Sequence, residues 1–139
     1  MSCAVVPLLS GAAEKQEVPT EPLDLLAIVS SGSPETQMMA MVLSTQAKRH
    51  GAEVHILLCD AAGDLALKSS ESPPMKPINK SPKDLLTSLM QEGVAVEVCA
   101  LFLPNRNLDA SDLLDGVTVA APPEIGARIV DPQARVLTF

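Results

Sequence analysis

The stretch LDLLAIVSSGSPETQMMAMVLSTQAKRHGAEVHILLC, residues 23–59, sets the architecture. LDLLAIVS (23–30) is a near-continuous apolar run. That is the pattern of a strand covered on both faces, as in a parallel sheet. SSGSPE interrupts it, and here Ser33 suits a helix N-cap and Pro34 the first helical position. The helix runs to about His50, with Met38, Met39, Val42 and Leu43 available for its buried side. Lys48, Arg49 and His50 complement the negative end of its dipole, and Gly51 ends it. AEVHILLC (52–59) is a second apolar strand. A helix between two such strands makes a βαβ unit with parallel strands.

Toward the C-terminus the same grammar returns. HGAEVHILLC, EGVAVEVC and DGVTVAA each carry a glycine just before an apolar, β-branched run. Residues 60–80 break the rhythm: DLALKSS suits a turn of helix, and ESPPMKPINKSP reads as a loop. Ser81, Pro82 and Asp84 open a helix whose apolar stripe is Leu85, Leu86, Leu89 and Met90, and Gly93 ends it. VAVEVCA (94–100) is the third strand. Asp109 suits the cap of a short helix over residues 110–115, stopped by Gly116. VTVAA (117–121) is the fourth strand, residues 123–131 form a helix, and ARVLTF (134–139) is the last strand. The order βαβαβαβαβ predicts a three-layer α/β/α sandwich on a mainly parallel five-stranded sheet.

Residues 23–139 thus read as one domain, and residues 1–22 as a flexible N-terminal tail. MSCAVVPLLSGAA has the short apolar run and small residues of an exported leader, but no positive n-region. A cytoplasmic protein is therefore expected, with export as the alternative. The 139-residue length suits a single core. Hydrophobic residues make up 47%, yet there are two Phe and no Tyr or Trp, so the core is aliphatic and Met-filled. The near absence of aromatics removes base-stacking platforms. A net charge of −7 with scattered Lys and Arg argues against direct nucleic-acid binding and against an anionic membrane surface. No apolar run reaches the length of a membrane span.

Three cysteines, Cys3, Cys59 and Cys99, make an odd count without CxxC or Cys/His spacing. That suits free thiols in a reducing compartment, and no metal site. In open parallel sheets, ligands sit beyond the carboxyl ends of the strands, where Cys59 and Cys99 both fall. Cysteine in a strand is commonly a packing residue. Around Cys99, two features favour a reactive thiolate instead: Arg106 seven residues on, and the positive end of the helix opening at Asp109. Cys59 has Asp60 beside it, which disfavours the thiolate. With the first strand between the second and third, the two cysteines stand two strand spacings apart, about 9.6 Å. That is beyond disulfide reach of about 7 Å. Ser30, Ser31, Gly32 and Ser33 could form a crevice with Cys59, although an ordinary capped turn explains the SSGSPE loop as well. That loop has neither the Walker nor the GxGxxG pattern. His50 suits the helix end and His55 a core edge or interface, and Asp109, Asp112 and Asp115 suit a cap and a solvated face.

The segments LDLLAIVSSGSPETQMMAMVLSTQAKRHGAEVHILLCDAAGDLAL and LLTSLMQEGVAVEVCALFLPNRNLDASDLLDGVTVAA together resemble the DsrE/DsrF family of small sulfur-relay proteins. A strand-terminal cysteine after GV-x-V is the most telling shared mark. The resemblance implies an α/β/α sandwich, homo- or hetero-oligomers such as dimers, trimers or hexamers, and no metal or organic cofactor. It further implies that Cys99 accepts sulfur as a persulfide from a donor protein and passes it to an acceptor, so that the chain is a sulfur carrier or sulfurtransferase. The bulky Leu101, Phe102, Leu103 and Pro104 after it would narrow access to the thiol. Two other readings compete. One is a non-catalytic module of the same fold, binding a small ligand or serving oligomeric assembly. The other is a receiver-like regulator, which the non-acidic SSGS turn disfavours.

Overall fold

The computed structural model describes residues 21–139, so most of the expected tail, with Cys3, lies outside the described residues. Five strands form one sheet: β1 (Asp24–Val29), β2 (Glu53–Leu58), β3 (Ala95–Val98), β4 (Thr118–Val119) and β5 (Ala134–Thr138). All pairs are parallel and the spatial order is β4-β3-β2-β1-β5. The expected order is corrected here: among the first three strands it is β2, not β1, that lies in the middle.

That order sets the layers. Parallel crossovers are right-handed, so a chain stepping steadily in one direction lays every connection on the same face. From β1 to β4 it does so, and the connecting elements α1 (Pro34–Arg49) and α2 (Pro82–Gln91) pack together over one face. Here Leu25, Ala27, Val29, Ile56, Leu58 and Val98 point into the main core. The return from β4 to β5 at the opposite edge carries α4 (Pro122–Ile129) across the other face. There Ile125 packs over a small cluster of Leu26, Leu57 and Ala120, joined by Ile28 and Cys59. Strand β1 buries both faces because successive side chains alternate between these two layers.

The three glycine junctions behave as the sequence suggests. Gly51, Gly93 and Gly116 have φ of 90°, 90° and 93°, the left-handed region that glycine enters without steric cost. The stripe of α2 is as expected, with Leu86 and Leu89 buried and Leu85 and Met90 against the core. The stripe of α1 is corrected. Its buried residues are Gln37, Ala40, Met41 and Ser44, while Met39 and Leu43 are exposed. Small side chains let this helix sit close to the sheet and to α2, so the larger apolar residues are turned outward.

Residues 60–80 hold more structure than a loop, beginning with a 3₁₀ helix over Asp60–Ala66. Lys83 of α2 ties down residues 67–70 beyond it, its Nζ donating to the carbonyl oxygens of Leu67 (2.5 Å) and Ser70 (2.8 Å). The start of α2 is a reciprocal cap. Ser81 Oγ accepts from the Asp84 N–H at 3.0 Å, and the Asp84 carboxylate accepts from the Ser81 N–H at 2.8 Å. These bonds to Ser81 hold the Asp84 carboxyl below its usual range. A carboxyl lowered by folding stabilises above its unfolded pKa and loses that contribution as pH falls through the folded value. Ser81→Ala is expected to cost about 0.5–2 kcal/mol at neutral pH by urea denaturation. Asp84→Asn is expected to flatten the acid limb of the stability curve. An unchanged acid limb in that variant would mean that the cap carries no pH dependence.

Candidate functional site

Cys99 lies one residue beyond β3. Its N–H donates to the Leu58 carbonyl at 2.9 Å, continuing the ladder past the last strand pair, and its carbonyl accepts from the Phe102 N–H at 2.9 Å. The chain therefore turns directly from strand into the short helix α3 (Phe102–Asn105). This helix replaces the expected loop. The helix expected over residues 110–115 is corrected to a 3₁₀ turn, Ala110–Asp112, in which the Asp112 carboxylate already accepts the Asp109 N–H at 2.8 Å. It supplies no helix dipole to Cys99.

The topology marks this strand end. The connection after β3 goes to the face of α1 and α2, whereas the connection after β4 goes to the face of α4. Where neighbouring connections part to opposite faces, a crevice opens at the carboxyl edge of the sheet. A cavity of about 270 Å³ lies one strand in from that point, at the carboxyl ends of β2 and β3, lined by Asp60, Cys99, Leu101, Phe102, Asn105 and Arg106. Cys99 is half-buried at its wall. Of the four bulky residues after it, Phe102 and Leu103 turn inward and are buried, and Leu101 is 68% exposed at the rim. Of the four, Leu101 and Phe102 line the cavity beside the thiol.

Arg106 lines the same cavity, but its guanidinium is engaged elsewhere. Nη1 pairs with the Asp64 carboxylate at 2.5 Å, Nη2 donates to the Asp60 carbonyl at 3.3 Å, and the group stacks over the Phe102 ring at 4.7 Å. Phe102 in turn packs against Gly63, where an added Cβ would come within 2.8 Å of the ring Cζ and closer still to two other ring carbons.

The Ser30, Ser31, Gly32 and Ser33 turn is placed apart from Cys99. The N–H and hydroxyl of Ser30 and the N–H of Ser31 donate to the Phe139 carbonyl, and Ser31 Oγ accepts the Ser33 N–H at 3.1 Å. Of these four residues only Gly32 lines the second cavity, about 240 Å³, with Pro34, Gln37, Asp64 and Ser70. The Arg106–Asp64 pair reaches from one cavity to the other. Ser33 occupies the N-cap of α1 without a side-chain cap bond.

Cys59 is brought to Cys99, against the expected separation. It extends β2 by one residue, with its N–H on the Val29 carbonyl and an extended backbone at φ −125° and ψ 159°. Leu58 pairs with Val98, so Cys59 and Cys99 are the next pair in register on adjacent strands. Adjacent strands lie about 4.8 Å apart, not twice that. The Cys59 thiol is pushed up to about 11, first by burial, then by the neighbouring Cys99, through charge and a side-chain hydrogen bond, and last by Asp60. The adjacent Asp60 was visible in sequence, but the larger contribution of Cys99 was not. Sequence reading also missed Asn105 and Asp64, and took Phe102 only as bulk beside the thiol. The acidic AGD segment and one of only two phenylalanines were the available signals.

His55 stands at the opposite end of the sheet, with Nε2 3.6 Å from Asp24, and burial lowers its pKa. Among the described residues, no cluster of three or more His, Cys, Asp or Glu is arranged to hold a metal ion. No helix among them is long and apolar enough to cross a membrane.

A thiol lining a cavity at the carboxyl edge of a parallel sheet, with a second thiol in register beside it, defines a small α/β sandwich organised around cysteine. The chain belongs to the DsrE/DsrF-like family, a sulfur-relay-type family whose model matches residues 24–139. Two solved structures share the fold. The YchN protein from E. coli aligns at a TM-score of 0.64 and 20% identity, covering 86% of this chain and all 100% of that one. MTH1491 from Methanobacterium thermoautotrophicum, a protein of unknown function, aligns at 0.62 and 16% identity, covering 86% and 100%. No curated protein matches this chain.

Proposed function

We propose that the protein is a sulfur carrier that holds sulfur as a persulfide on Cys99. The observation that supports this most is the half-buried Cys99 thiol at the wall of a 270 Å³ cavity on the carboxyl edge of the sheet. Such a cavity admits one extra sulfur and the end of a partner's cysteine side chain. The Cys99 thiolate attacks the outer sulfur of a donor persulfide, and the donor thiolate leaves. An acceptor thiolate then attacks the outer sulfur on Cys99 and restores the resting thiolate. Arg106 contributes positive charge at the same wall, reduced by its pairing with Asp64. Leu101 at the rim offers donor and acceptor proteins an apolar contact. The carrier works in a reducing, cytoplasmic setting. It self-associates through apolar surface around β5 and α4, where Ile129, Val130, Val136 and Leu137 are exposed.

Intact-mass analysis of the reduced protein after exposure to a small-molecule persulfide, with Cys99→Ser alongside, tests the assignment. The expected result is a gain of one sulfur that a reducing thiol reverses and that the variant lacks. Circular dichroism of the variant should be unchanged, because Cys99 is only half-buried and serine is close to it in size. Loading that persists in Cys99→Ser would sink the site. No loading, with Cys99 slow to alkylate in the native protein, would favour the non-catalytic binding module.

A further inference from the structure

The register of β2 and β3 gives Cys99 a second thiol as a neighbour, and the carrier reading makes no use of it. We propose that Cys59 is a resolving residue, which discharges the Cys99 persulfide as hydrosulfide and closes a Cys59–Cys99 disulfide. The inference rests on the reading of Cys99 as a persulfide carrier.

Three observations carry it. Leu58 and Val98 are the last paired residues, so Cys59 and Cys99 are in-register neighbours on adjacent parallel strands. Adjacent strands about 4.8 Å apart fall within the Cα separation that disulfides require, and closing the bond turns the Cys99 side chain from the main core toward the face where Cys59 packs. The two side chains are also close enough for Cys99 to raise the pKa of the Cys59 thiol. Finally, Cys99 lines the 270 Å³ cavity and Cys59 is not part of its lining. The outer sulfur of a Cys99 persulfide can project into that space, and Cys59 meets the inner sulfur first.

The step balances without an added oxidant. Cys59 Sγ, on losing its proton, attacks Cys99 Sγ. The Cys59–Cys99 bond forms, the bond from Cys99 Sγ to the outer sulfur breaks, and that sulfur leaves as hydrosulfide with the electron pair. The outer sulfur is reduced to sulfide and the two cysteines are oxidised to cystine. A reducing dithiol then returns both thiols. Because the Cys59 thiol is pushed up to about 11, little of it is ionised at neutral pH and the discharge is slow. An acceptor that arrives promptly receives the sulfur, and a carrier left loaded empties itself.

The test uses the full chain with Cys3→Ser, so that mass reports only these two thiols. This protein and its Cys59→Ser derivative are loaded with a small-molecule persulfide and desalted. They are then monitored by intact mass and by a sulfide assay at several pH values. Cys59→Ser is expected to keep the added sulfur, while the parent loses it, releases one equivalent of sulfide and ends two hydrogens lighter. Peptide mapping should place the new bond between Cys59 and Cys99. Equal persistence of the persulfide in both proteins would overturn the role of Cys59 and leave the carrier intact. Absence of loading in both would overturn the carrier and this inference with it.

Discussion

Phe102→Ala is expected to remove about 3–5 kcal/mol of stability, the cost of emptying a buried aromatic site. For a domain of this size that lowers the melting temperature by on the order of 10–20 °C. Phe102 is 5% exposed and belongs to the main core. Its ring lies on Gly63 and carries the Arg106 guanidinium. It also begins α3, three residues after Cys99. Its loss therefore reaches the site as well as the core: the cavity wall opens and Arg106 loses its platform. Alkylation of Cys99 under native conditions should become several-fold faster. A loss below about 1 kcal/mol with unchanged alkylation would mean that α3 is held by other contacts.

The second large effect comes from the partner of that ring. Gly63→Ala is expected to destabilise by about 1–3 kcal/mol, because the added methyl group enters space that the ring occupies. Both are fixed in the core, and neither can move without opening another contact. Gly63 does not have the left-handed φ of Gly51, Gly93 and Gly116, so the cost is one of packing and not of backbone strain. A packing cost reverses sign once the ring is gone. In the Phe102→Ala background the same substitution meets open space, and replacing glycine by alanine then stabilises by about 0.4–1 kcal/mol through the unfolded chain. Urea denaturation of the four proteins in a double-mutant cycle reads the coupling directly. Strict additivity of the two substitutions would show that Gly63 and Phe102 do not meet in solution.

These contacts also mark where local sequence stops being informative. Residues 23–59 carried the βαβ unit because hydrophobic period, caps and glycine stops are local properties. Each is settled by interactions within a few residues, and the strands, α1, α2, α4 and the three left-handed glycines were all legible in this way. The helix α3 was hidden because four residues with a proline have no period to read. It is held by Phe102 on Gly63, a contact across 39 positions of sequence. The stripe of α1 was misread for a related reason: apolar residues mark a helix as amphipathic, but the closeness of its neighbours selects which of them fit.

At the site, residue order alone was enough to put Cys59 and Cys99 at strand ends and to set Asp60 against a Cys59 thiolate. It was also enough for the parallel sheet, and therefore for the edge at which chemistry would sit. That the two cysteines are neighbours, and that Arg106 is paired with Asp64 beside the thiol it was expected to serve, emerged only from the folded chain. Strand order is not a local property. Every βαβ unit obeys the same right-handed rule whichever way the chain steps across the sheet. The direction of stepping is set by which faces the helices can cover together, and α1 packing on α2 over one face, with α4 alone on the other, brings β2 against β3 and Cys59 against Cys99.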